Sequence, residues 1–174
     1  VERESGSLTV LADDTTIEIR TTPGLRQVNA PGGALASYRY NARPIAVTAA
    51  IQRIEPVVRI TDRVNARLEE TRLLVTHLLQ LQVDKAGIYA LKLTPQAGFN
   101  VTEVTGDGID DWKATAEEIR VSFASRVMGE RKIKIQLEKA SKEFPEQIVL
   151  GPLGVQGATN VTTRLSAASA PGIS

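Results

Sequence analysis

Between Pro56 and Gly87 the chain contains neither proline nor glycine, and from there on to Leu93 apolar residues recur at every second position. Val58, Ile60, Val64, Ala66 and Leu68 fall on one side of an extended chain. Arg59, Thr61, Arg63, Asn65 and Arg67 fall on the other, and only Asp62 interrupts the apolar side. Side chains of a strand alternate because the pleat has a period of two. A second run puts Leu73, Val75, His77, Leu79, Leu81 and Val83 on one face, and a third, after Gly87, does the same with Tyr89, Leu91 and Leu93. Between the first two runs the turn falls at Glu69-Glu70-Thr71-Arg72, without the Asn-Gly or Asp-Gly of a tight hairpin. A helical pattern competes. Ile60, Val64, Leu68, Thr71, Val75, Leu78 and Leu79 recur three and four apart, Thr61 or Asp62 offers a cap, and Leu, Glu, Arg and Gln favour helix. The strand reading takes precedence because the alternation persists through three consecutive runs and into the flanking segments.

The rest of the chain repeats this pattern in shorter pieces. Strands are expected at 8–11, 15–21, 25–28, 35–40 and 45–51, with turns at Ala12-Asp13-Asp14, Pro23-Gly24, Pro31-Gly32-Gly33 and Asn41-Ala42-Arg43-Pro44. After Thr94-Pro95-Gln96-Ala97-Gly98, Phe99, Val101 and Val104 lead to the loop Gly106–Asp111 and to Trp112. Residues 117–124 and 132–138 alternate clearly and read as a hairpin joined at Met128-Gly129-Glu130. Further strands are expected at 148–155 and 161–165. Many short alternating runs with turn signals between them predict an all-β fold. Its form is an antiparallel β-sandwich, in the larger case an open or super-sandwich, with little or no helix. The expected domain is 8–165, or two packed sub-parts, 8–55 and 56–140. Residues 1–7 are expected to fray and 166–174 to form a flexible tail or linker.

A chain of 174 residues can bury a core without staples. Aromatics make up only 4%, so that core is aliphatic. With no cysteine, disulfides, thiolate metal sites and thiol catalysis are excluded. A net charge of +1 with interspersed signs lacks the basic face and stacking rings of a nucleic-acid binder. No apolar run reaches the length of a membrane span, and no signal peptide is visible. The chain begins with Val, which reads as a piece of something longer.

The pieces GIYALKL, TPQAG, VTEVTGDGIDDW and IRVSFASRVMGERKIKIQLE come in that order between Gly87 and Glu138. Together with the extended run from Arg63 they resemble a module of uncharacterised bacterial cell-envelope proteins. The chain is also similar to large open sandwiches of the lipid-transfer type. The resemblance implies an all-β architecture and a periplasmic, cell-surface or secreted location. It implies no activity.

Few constellations carry chemistry. His77 is the only histidine; no G-x-S-x-G elbow accompanies it, and its place among leucines points to a structural, partly buried role. Asp107, Asp110 and Asp111 in a glycine-bearing loop are a candidate calcium site, since hard cations prefer oxygen ligands, although the spacing is not that of an EF-hand. Trp112 reads as a core plug. Arg59, Arg63 and Arg67 form a ladder whose members would lie about 13 Å apart along a strand, a positive stripe for an anionic envelope component. Asn100-Val101-Thr102 and Asn160-Val161-Thr162 fit the glycosylation sequon. The functional expectation is a non-catalytic structural or interaction module of a larger envelope or secreted protein. It needs no cofactor, and its partner is another domain or protein rather than nucleic acid. The alternatives are a lipid or other apolar ligand held between the sheets and, with least support, a carboxylate-based hydrolase.

Overall fold

Alternation prevails over the helical pattern throughout. The computed structural model describes residues 5–21, 24–41, 45–141 and 147–169, and among these there are twelve strands and no helix. The chain divides between Glu55 and Pro56 into two units.

The first unit holds β1 (Gly6–Val10), β2 (Thr15–Thr21), β3 (Leu25–Val28), β4 (Ala36–Tyr40) and β5 (Val47–Arg53). They make a three-stranded sheet in the order β1-β4-β3 and a two-stranded ribbon of β2 and β5, all antiparallel. Asp14 turns the chain into β2 with a φ of 50°, a conformation that Asp tolerates, and its carbonyl accepts from the Ile54 N–H at 2.8 Å. β1 starts at Gly6, inside the segment expected to fray.

The second unit holds β6 (Val57–Leu68), β7 (Arg72–Thr94), β8 (Asn100–Gly106), β9 (Ile109–Ala114), β10 (Ile119–Ala140), β11 (Gly154–Val155) and β12 (Asn160–Ser169). Its sheet runs β12-β6-β7-β10-β8, with β11 against β7 and β9 against β10. The hairpin between β6 and β7 closes without a turn glycine. The Glu69 N–H donates to the Arg72 carbonyl at 2.9 Å, and Arg72 Nε donates to Glu69 Oε2 at 2.7 Å. That side-chain bond holds the Glu69 carboxyl below its ordinary value, outweighing the effect of desolvation; the charges of Arg72 and Arg67 add to it.

Three expectations are corrected here. The second and third runs of the apolar stretch are one strand, the 23-residue β7. The expected hairpin at 117–138 does not exist either, because Ile119–Ala140 is a single strand of 22 residues. Gly129, with φ 75°, resumes the pairing with β7 rather than turning the chain; the extra residues of β10 fall between Ser122 and Val127, and those of β7 fall between Val83 and Ile88, where Lys85 has a φ of 67°. The two bulges compensate. Ser122 pairs with Ala90 and Gly129 with Val83, so each strand spends seven steps across the disrupted region and the register is recovered. One hydrophobic cluster then takes in both halves of the ribbon, Leu73 to Val83 with Ile133 to Leu137 and Leu91 to Leu93 with Ile119 to Phe123. Bulges bend strands and raise their twist. Third, the sheet is not wholly antiparallel, because β12 runs parallel to β6. A parallel neighbour needs a crossover, and β12 follows β10 in the chain rather than β6. Of the strand expected at 148–155 only β11 forms, and the expected tail contributes its first residues to β12. Residues 1–4, 22–23, 42–44 and 170–174, on which parts of the expected termini and turns fall, lie outside the described residues.

Candidate functional site

The strands β12, β6, β7, β10 and β8 present two faces, and the polar side chains on each are placed by register. On the inner face, Asp62 and His77 are the buried polar side chains among the described residues. Val64 pairs with His77 and Asp62 with Leu79, so Asp62 and His77 are diagonal neighbours on one face. Asp62 Oδ2 and His77 Nδ1 are 2.8 Å apart. The carboxyl group and the imidazole ring are thus joined by a hydrogen bond. Both residues are 1% exposed. Asp62 Oδ1 has no hydrogen-bond partner among the described residues. A pair sealed this way is out of reach of a substrate and acts on the register of two strands. The structural role expected for His77 therefore acquires a partner. The turn at 69–72 already sets 64 opposite 77, which was the signal that could have found it.

The outer face is read in rows across the strands. One row runs Arg164, Arg63, Leu78, Lys134 and Thr105. The row beside it includes Thr61, Gln80 and Lys132. Two depressions flank the first row. One of about 500 Å³ is bordered by Arg63, Leu78, Gln80, Asp107, Lys132 and Lys134. The other, of about 490 Å³, is bordered by Arg63, Asn65, Leu78, Arg164, Leu165 and Ser166. Lys134 lies 3.6 Å from Glu103 and Lys132 lies 3.9 Å from Glu130.

The arginine ladder of β6 is on this face, but its members differ. Arg59 pairs with Asp84 at 3.0 Å and Arg67 with Glu69 at 3.8 Å, both near the solvent, where such pairs contribute little. Arg63 makes no ion pair and no side-chain hydrogen bond among the described residues. The second cation beside it, Arg164, was missed from the sequence because it comes from the crossover strand. The three aspartates of the candidate calcium loop are not brought together. Asp110 and Asp111 are successive residues of β9 and point to opposite faces, and no group of three acidic or histidine side chains gathers among the described residues. Trp112 is half-buried against the core cluster.

The outer boundary of the sheet is β12. It pairs without interruption from Asn160, opposite Arg59, to Ser169, opposite Leu68, and no strand lies beyond it among the described residues. Edge strands are usually blunted by charge, proline, bulges or brevity. β12 has ten residues, one charge, no proline and no bulge. Leu165 on it is 55% exposed.

No family model matches the chain, and no curated protein matches it. Among solved structures, it is similar to an M1 zinc metallopeptidase from Deinococcus radiodurans, a mutant bound to a Tyr-Ser-Ala substrate. The identity is 12% and the TM-score 0.38, over 55% of this chain and 23% of the peptidase. The chain thus spans less than a quarter of that enzyme, and a likeness of this degree carries no argument about activity.

Proposed function

We propose that this chain is a non-catalytic interaction module that takes up an extended segment of another domain or protein along the free edge of β12. The envelope or secreted setting implied by the motif resemblance is part of the same proposal. One observation carries it: a ten-residue edge strand with a single charge and neither proline nor bulge, exposed on both faces over most of its length. Strand addition draws affinity from main-chain hydrogen bonds and specificity from alternate side chains. Support over the apolar-ligand alternative comes from the interior, where Leu81, Leu93, Ile119, Val121 and Ile135 are fully buried in one continuous hydrophobic cluster.

The test is a selection of extended peptides displayed against the immobilised protein. Selected binders should slow hydrogen exchange in β12 and lose binding to a Val161→Lys, Leu165→Lys variant, whose exposed positions tolerate lysine. A selection without binders, or binders whose footprint avoids β12, would remove the reading.

A further inference from the structure

Arg63 and Arg164 are Cα partners in the parallel ladder of β6 and β12, so their side chains leave the sheet on the same face from strands roughly 5 Å apart. Both are exposed. Neither has an ion pair or a side-chain hydrogen bond among the described residues, whereas Arg59 and Arg67 in the same strand each have a carboxylate. Like charges directly opposite one another destabilise a ladder. Two arginines rooted directly opposite one another place a double positive charge on this face, which a ligand with two negative charges matches. The surroundings add a donor. The Ser166 hydroxyl donates to Asn65 Oδ1 at 2.5 Å, and Asn65, whose amide N–H groups make no hydrogen bond among the described residues, borders the depression of about 490 Å³. Leu78, 41% exposed, forms its apolar margin.

We infer that Arg63, Arg164 and Asn65 form a binding site for a phosphomonoester group. The guanidinium fork matches phosphate oxygens in bidentate fashion, and two forks match its double charge. A discrete group fits better than an anionic surface. Elsewhere on this face Glu103, Asp107 and Glu130 stand among Lys132 and Lys134, and a flat anionic layer would press against those carboxylates. The depression between Arg63 and Arg164 has no carboxylate on its border, and Asp107 stands across the neighbouring depression that Arg63 also borders. This inference does not rest on strand addition at the β12 edge, since the arginines use the face of the sheet and not its margin.

The experiment is an NMR titration of the isotope-labelled chain with phenyl phosphate at low salt, repeated with inorganic phosphate and with vesicles of phosphatidylcholine containing phosphatidic acid. The expected result is a saturable shift confined to residues around Arg63 and Arg164. Arg63→Gln and Arg164→Gln should each weaken it about tenfold or more, while Lys132→Gln and Lys134→Gln leave it unchanged. Circular dichroism of each variant reports retention of fold, and the two arginine variants test the site independently. Vesicle binding that accompanies phenyl phosphate binding and is lost in the same variants makes a lipid headgroup one source of the phosphate and upholds the site. No saturable shift, an equal loss in the lysine variants, or binding to vesicles alone would each overturn it.

Discussion

The two units are built from the same alternation yet bury very different amounts of it. Strands of the first unit have four to seven residues, and its buried residues among the described ones are Ala36, Ser37 and Tyr38, each still 5–7% exposed. Strands β6, β7 and β10 of the second unit have 12, 23 and 22 residues and supply most of one continuous aliphatic cluster. Ile51 of β5 is 71% exposed while Leu81 of β7 is fully buried. A two-stranded ribbon such as β2–β5 has little to bury and is marginal by itself. Two long ribbon strands that bend at paired bulges can bury both halves of one face. Alternation therefore marks a strand, but strand length and bending decide how much stability the alternation yields.

The buried pair gives the sharpest way to test this contrast. His77→Ala leaves the Asp62 carboxylate alone in the core and should cost about 3–5 kcal/mol in urea denaturation. Replacing both residues by leucine should recover most of that loss. A cost for the double variant as large as for the single one would mean that the pair contributes net stability rather than register. Next in size, Leu81→Ala should cost about 2–5 kcal/mol by loss of contacts and the cavity left behind. Ile51→Ala should stay within about 0.5 kcal/mol, as exposed positions do. Equal costs would break the comparison. The smallest effect belongs to the β6–β7 turn. The Glu69 carboxyl, followed by NMR, should titrate below 4.5, and Arg72→Ala should bring its midpoint back up toward that value. Because the folded carboxyl is the stronger acid, its contribution is present above pH 4.5 and fades as pH falls through the lowered midpoint. Stability of the wild type and of Arg72→Ala should therefore converge on acidification.

Much of the fold was legible because local features encode it. The alternation of Val58 to Leu68 and of Leu73 to Val83 marks two strands, and the 69–72 turn sets their register. The site was less legible. Arg63 was visible as a member of a ladder, but what separates it from Arg59 and Arg67 is the absence of a carboxylate neighbour among the described residues, a property of the adjacent strands. Arg164 had no reason to be singled out until β12 was known to lie along β6.

Gly129 shows why errors arose in one direction. A glycine between two alternating runs suits a reversal and a bulge equally well, since both use a positive φ. Only the neighbouring strand tells them apart: β7 continues past Lys85 with a compensating bulge, so β10 has a partner along its whole length and no reason to turn back.

What the residues determined by themselves was periodicity: which stretches are strands, which faces are apolar, and that an aliphatic core without cysteine would hold them. The tertiary structure alone decided which strands pair, that the last one runs parallel, and that Asp62 finds His77 while Arg63 faces Arg164. The physical reason is range. Side-chain alternation is dictated by the backbone of a few residues, whereas a ladder partner is chosen by the free energy of the whole sheet.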